Sequence, residues 1–216
     1  MTAYPEKTRF VDLSHPLASG QFGFPTDPAV RVAAHTTIAT HTFNLSRIEM
    51  GSHHGTHVDA MYHFREDGKT IDQMPLHWFV GPARLLRVPK QPQEEITADD
   101  LRPYERLLTP EARILLATGW DRQFGTEAFF TDCPSITMDA AHYLVGRKIR
   151  LLGMDLPTPS RQWLEFHRLL LAKESEIVLV ESLANLEALP EEFTFIGLPL
   201  NIPGCDGSPI RAVAMF

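Results

Sequence analysis

Residues 53–63 read His-His-Gly-Thr-His-Val-Asp-Ala-Met-Tyr-His, which places four of the chain's ten histidines and one carboxylate within eleven positions. That spacing restricts how the segment can fold. On an α-helix, His53 and His57 would share a face, but Asp59 would point about 120° or more away from them at 3.6 residues per turn. On a strand, positions 57 and 59 project to the same side, about 6–7 Å apart. His53 then joins them only if the chain turns between 53 and 57, and Gly51 and Gly55 supply the freedom for a turn. The expected form is a bent or turn-interrupted extended segment, with His54, of opposite parity, facing away. A lone histidine is usually a hydrogen-bonded core or surface residue. Here the set matters: imidazole and carboxylate are ligands that zinc and similar divalent ions prefer, and His53, His57 and Asp59 supply three. Three protein ligands with one position open describe a catalytic metal, whereas a structural zinc site is closed by four. His63 lies close enough in sequence to act on whatever such an ion binds.

The pattern His-x-Gly-Thr-His-x-Asp-Ala-x-x-His resembles the signature of the cyclase superfamily of metal-dependent hydrolases, which includes bacterial kynurenine formamidases and isatin hydrolases. The resemblance extends over nearly the whole chain. Residues 11–17 (Val-Asp-Leu-Ser-His-Pro-Leu) are similar to the family's opening strand, and 118–121 (Thr-Gly-Trp-Asp), 153–155 (Gly-Met-Asp) and 181–186 (Glu-Ser-Leu-Ala-Asn-Leu) to its middle elements. Residues 198–200 (Leu-Pro-Leu) and 207–214 (Gly-Ser-Pro-Ile-Arg-Ala-Val-Ala) resemble its ending. The resemblance implies a swivelling β/β/α fold and a role for each matching residue. His53, His57 and Asp59 correspond to ligands of a first ion, with Asp59 able to bridge. His167 and Glu181 correspond to residues that complete a second, and His63 to the acid/base histidine. It also implies zinc or manganese, one or two ions per chain, and a homodimer or higher homo-oligomer. Without it, His167 is a histidine on an amphipathic helix and Glu181 a charge at a strand end.

The implied activity is hydrolysis of a C–N amide bond through metal-bound hydroxide, in an aryl formamide such as N-formylkynurenine or in a cyclic amide. Two departures bear on the substrate: Met61 stands where the family commonly has proline, and residues 24–28 read Phe-Pro-Thr-Asp-Pro where the formamidases have a Trp-Pro-Gly-Asp-like stretch. A lactone hydrolase or a cyclase/dehydratase could use the same site, and a non-catalytic metal-binding module is the reading from another class.

Composition bounds the rest. A chain of 216 residues with 44% hydrophobic content fits a single domain, 1–216, with a sizeable core. A formal charge of −7 argues against a nucleic-acid partner. No apolar run approaches the ~20 residues that span a bilayer. Residues 1–10 mix polar, charged and proline positions, unlike a secretory signal. Cys133 and Cys205 have no metal-type spacing, and each is expected to be a small buried thiol in a cytoplasmic protein.

Strands are expected over 10–13, 30–34, 42–50, 83–88, 113–117, 150–154, 177–180, 193–198 and 212–216. Thr97 with Asp100 marks a helix start that Pro103 interrupts, and Thr137 is expected to cap a helix over 138–145, stopped at Gly146. Residues 161–173 form an amphipathic pattern whose stripe, Trp163, Phe166, Leu169 and Leu170, reads as core packing. Strands outnumber helices and the helices come late, which suggests a mixed α/β domain with substantial antiparallel sheet. Arg47, Trp78, Trp120 and Phe22 are candidates to line a pocket for an aromatic substrate, although tryptophan is most often buried for packing. The 204–208 stretch (Gly-Cys-Asp-Gly-Ser) lacks a P-loop lysine and reads as a turn before the last strand.

Overall fold

Residues 113–117, 151–154 and 178–181 are apolar with little alternation, the pattern of strands covered on both faces. In the computed structural model, which describes residues 8–24 and 26–216, they form the buried middle of a nine-stranded sheet. Residues 1–7, part of the segment expected to lack a secretory signal, and Pro25 of the 24–28 stretch lie outside the described residues. In chain order the strands are β1 (Phe10–Asp12), β2 (Arg31–Thr36), β3 (Leu45–Glu49), β4 (His57–Asp59), β5 (Val80–Arg87), β6 (Glu95–Ile96) and β7 (Arg113–Ala117). They continue with β8 (Ser135–Ile136), β9 (Leu151–Met154), β10 (Val178–Glu181), β11 (Glu192–Ile196), β12 (Gly207–Pro209) and β13 (Val213–Met215). The α-helices are α1 (Ile38–His41), α2 (Ala98–Leu101), α3 (Ala128–Thr131), α4 (Met138–Gly146) and α5 (Trp163–Leu170).

The large sheet runs β1-β13-β11-β5-β7-β9-β10-β4-β12. Its centre, β5-β7-β9-β10, is parallel, and both flanks are antiparallel. The fold is mixed α/β as expected, but the antiparallel share sits at the edges. Parallel neighbours need long crossovers, and these contain α2, α3, α4 and α5, with α4 packed between α2 and α5. One hydrophobic cluster, including Leu115, Leu152, Leu179, Phe166 and Phe195, joins sheet and helices.

Several boundaries differ from the sequence pattern for local reasons. The strand expected over 42–50 is shorter because α1 precedes it and Thr42 takes a left-handed φ of 66°. The helix expected over 161–173 is confined to α5. The amides of Arg161 and Gln162 donate to the hydroxyls of Ser135 and Ser160, and Ile177 N–H donates to Leu170 O at the other end. Thr137 occupies the position before α4, but its hydroxyl bonds Ile96 O and Asp139 and does not cap the helix. The start at Thr97 is as expected, with Asp100 closing a capping box. The hairpin β2–β3 stands apart from the core and exposes Val32, Leu45 and Ile48. Among the described residues no helix is long and apolar enough to cross a membrane.

The ends of β7 and β9 are tied by one buried carboxylate. Asp155 accepts hydrogen bonds from Thr118 N–H at 2.9 Å, Thr118 Oγ1 at 2.7 Å and Gly119 N–H at 2.7 Å. Asp155→Ala leaves both amides without an acceptor. It should lower the stability by about 2–4 kcal/mol, seen as a lower denaturation midpoint at unchanged m-value.

Candidate metal centre

Strand β4 is held between β10 and β12, and the register decides which side chains meet. His57 lies opposite Glu181 on one side and Pro209 on the other, while Asp59 lies opposite Gly207. Residues 57 and 59 share a face by strand alternation, and a directly opposed residue such as Glu181 shares it too. The chain reaches His53 through a turn in which Gly55 has φ +66° and Leu17 Cδ2 stands 2.5 Å from where a Cβ would be. Gly51, also expected to supply turn freedom, is not left-handed. His63 ends the single 3-10 turn Met61–His63 after β4, and His167 faces inward from α5.

Two of the imidazoles are oriented by backbone carbonyls. His57 Nδ1 donates to Gly55 O at 2.8 Å, which turns Nε2 to within 3.3 Å of Asp59 Oδ1 and 3.6 Å of Glu181 Oε2. His167 Nδ1 donates to Trp163 O at 2.6 Å, and its Nε2 lies 3.5 Å from Asp59 Oδ2 and 3.4 Å from Glu181 Oε1. His53 Nδ1 is 2.8 Å from Asp59 Oδ1. Three donor sets result among the described residues, His53–His57–Asp59, Asp59–His167–Glu181 and the less buried His53–His63–Asp206, each with its atoms within 4.8 Å of one another; the first two share Asp59. His63 stacks on His53 at 3.9 Å. The structure thus gathers all six residues singled out in the sequence.

The charges here are buried and only partly compensated. Asp59 and Glu181 are 1% and 5% exposed, and Asp59 Oδ2 and Glu181 Oε1 receive no hydrogen bond. Burial would lower the His53 pKa, but Asp59 and Asp206 overcome it and raise it to about 11. The same competition, with Asp59 and Glu181 as partners, raises His167 to about 10. Burial would raise Asp59, and the imidazoles of His53, His167 and His57 hold it well below the usual carboxylate range. Such a cluster has the donor chemistry and the excess negative field that suit a divalent cation.

The cluster opens into a cavity of about 230 Å³ walled by Phe22, Phe24, Phe64, Phe124, Phe130 and Trp163. Of the four pocket candidates from the sequence, Phe22 is there. Trp78 and Trp120 are 7% and 5% exposed in the core, and Arg47 is on the exposed hairpin beside Glu49. Trp163 was expected in the core stripe of its helix, yet it is half-exposed and lines the cavity, while Phe166 and Leu170 pack inward. His54 is outside all three donor sets, as its parity suggested, but it does not face away from the site: it is buried and lines the same cavity near Gly23. Sequence reasoning missed Asp206. Its Oδ2 lies 2.9 Å from His53 Nε2, and hydrogen bonding to His53 and His63 holds its carboxyl far below the usual range. A single aspartate in a glycine turn gave no signal; only the β4–β12 pairing brings it in.

The chain is similar to known proteins along nearly its whole length. Residues 11–161 match the cyclase family model, described as "Putative cyclase". The kynurenine formamidase of Geobacillus thermodenitrificans (strain NG80-2) is 32% identical over 174 residues, 78% of each chain. That of Bacillus cytotoxicus is 28% identical over 212 residues, covering 95% of this chain and 97% of the relative. Among solved structures, an isatin hydrolase bound to the product analogue thioisatinate superposes with a TM-score of 0.87 at 25% identity, covering 97% of this chain and 93% of that one. Isatin hydrolase A from Labrenzia aggregata, bound to benzyl benzoate, gives 0.86 at 25% identity, covering 96% and 93%.

The raised histidines set the sign of a pH effect. With pKa values of about 11 and 10, His53 and His167 hold protons near neutrality, and a cation must displace them. Cation affinity should therefore rise with pH, with up to about two protons released per chain on loading. Calorimetric titration of zinc in buffers of different ionisation enthalpy measures that release. A heat independent of the buffer would show that the histidines bind no protons in the ion-free site.

Proposed function

The chain belongs to the cyclase family, and we propose that it is a metal-dependent hydrolase that cleaves a C–N amide bond in a small aromatic or cyclic substrate. The observation that carries this reading is the pair of donor sets sharing Asp59, with buried carboxylate oxygens that receive no hydrogen bond, at the floor of an aromatic cavity. The donors fit zinc or manganese. His53, His57 and Asp59 would hold a first ion, and His167 and Glu181, with Asp59, a second. A bound ion supplies Lewis acidity toward a carbonyl oxygen and lowers the pKa of water from 15.7 to about 7.

The chain's own residues do the remaining work. The Gly55 and Trp163 carbonyls fix the rings of His57 and His167, so two lone pairs converge without rearrangement. The phenyl and indole walls bind an aryl group and keep bulk water from the amide. His63 is outside the two sets that share Asp59 and meets only His53 and Asp206 in a third, less buried set. It takes the proton of the attacking water and returns it to the leaving nitrogen, a task suited to an imidazole. The kynurenine formamidase relatives make an aryl formamide such as N-formylkynurenine the first substrate to test, and the isatin hydrolase neighbours make isatin the second. A homo-oligomer is supported by the exposed apolar hairpin β2–β3, and a cytoplasmic setting by the two free thiols. One shared core supports a single domain.

Chelation should abolish hydrolysis, and Asp59→Ala should empty the site, because that residue belongs to both of the sets that would hold the first and second ions. Elemental analysis showing full metal in Asp59→Ala would remove it from the ligands. Glu181→Gln should halve a two-ion content; one ion per chain both before and after the change would show a single-ion enzyme.

His63→Ala should slow turnover by about 10²–10⁴ at normal metal content and normal melting temperature. Near-normal turnover in that variant would move the proton transfer to another group. Loss of metal would make His63 a ligand.

A further inference from the structure

The turn before β12 sets one carboxylate against two imidazoles. Asp206 Oδ2 lies 2.9 Å from His53 Nε2 and 3.5 Å from His63 Nδ1. The carboxylate is anchored independently of both rings: its Oδ1 accepts from Ser52 Oγ at 2.9 Å, and its backbone carbonyl accepts from Ala60 N–H at 2.9 Å. Gly207 leaves the space, since a Cβ there would come within 2.6 Å of His53 Cε1. The two rings stack at 3.9 Å and 26°, so both present a nitrogen to the same oxygen.

A neutral imidazole has one N–H and one lone pair, and the acceptor beside one nitrogen decides which is which. At His57 and His167 that acceptor is a backbone carbonyl. His53 has Asp206 Oδ2 in that place at Nε2, opposite Asp59 Oδ1 at Nδ1, whose lone pairs a cation would share, and Asp206 reaches His63 as well. We infer that Asp206 is a positioning residue that fixes the tautomer and orientation of both His53 and His63. It holds the protons of His53 Nε2 and His63 Nδ1, leaving His53 Nδ1 toward Asp59 and His57 and leaving His63 Nε2 to exchange a proton with the substrate. One carboxylate thereby links the cation cluster to the acid/base histidine. The inference rests on the reading of the cluster as a metal centre and of His63 as its acid/base.

Two measurements test it. The first uses ¹⁵N–¹H long-range NMR spectra of the histidine side chains in the wild-type, zinc-loaded protein, and it needs no substrate. His53 Nε2 and His63 Nδ1 should each carry the proton, with His53 Nδ1 at a metal-bound shift. A His63 proton on Nε2, or a metal-bound shift at His63, overturns the assignment, the latter because Asp206, His53 and His63 would then be a cation site themselves. The second uses Asp206→Asn, which keeps the shape and removes the charge. Turnover should fall about 10–100-fold at unchanged KM, and the His63 tautomer should become mixed, with melting temperature retained. Unchanged kcat and unchanged tautomers in a folded Asp206→Asn protein overturn it. If the wild type hydrolyses neither aryl formamide nor isatin, the substrate reading fails while the wild-type tautomers still decide the role of Asp206.

Discussion

The antiparallel seating of β4 between β10 and β12 is the constraint on which the site depends. It places Glu181 beside His57 and Gly207 beside Asp59, and so brings distant parts of the chain to one face. Strand side chains alternate with period two, so a one-residue slip of β10 would turn Glu181 away and present Val180. That slip is costly because both faces of β10 are buried, so it would carry the Glu181 carboxylate away from His57 and His167 to another buried position. The charged groups of this edge thus help to fix its register.

That edge works against the fold in the absence of a cation. Removing a carboxylate from water costs several kcal/mol unless it is paired and hydrogen-bonded, and Asp59 Oδ2 and Glu181 Oε1 receive no hydrogen bond. Protons on His53 and His167 offset part of this cost in the ion-free protein. A divalent ion offsets it more completely, since it can meet several oxygens and nitrogens at once. Apart from His53, which lies in the turn before β4, the donors also sit on a strand, a neighbouring strand and a helix packed in one core, which limits how far they can relax apart. A cluster this costly is kept for binding, not for stability.

How much of this was legible in the sequence depended on distance along the chain. The motif from His53 to His63 could be read because strand periodicity and a glycine turn act within a few residues, and the turn-interrupted strand is what forms. Strand β7 could be read to its ends because an apolar run between charged and glycine neighbours leaves little choice. His167 and Glu181 had no local signal, and only the family resemblance singled them out; their convergence needs sheet register, which periodicity does not encode. Asp206 was missed for the same reason. The tryptophans show the limit of residue type as a guide. Trp78 and Trp120 are core residues, whereas Trp163, on a stripe that looks apolar throughout, sits on the first turn of α5 and closes the cavity.

The cavity walls bear on which amide fits. Among the described lining residues there is no lysine or arginine, and the acidic ones are Asp27, Asp59 and Glu181. Such a lining solvates a neutral aryl group well and an anion poorly, except where an anion meets the cation cluster directly. Amide hydrolysis starts from a neutral group and ends with a carboxylate. The protein environment therefore favours the substrate side away from the cluster and leaves the acid product with one attachment. An aryl formamide divides into a small acid and an aromatic amine that the walls can hold separately. A cyclic amide keeps both groups on one molecule, so its carboxylate would remain beside a cation held by Asp59 and Glu181 as long as the ring stays against the phenyl groups. Release should then be the harder step for the cyclic substrate, and the same walls that bind its ring set that barrier.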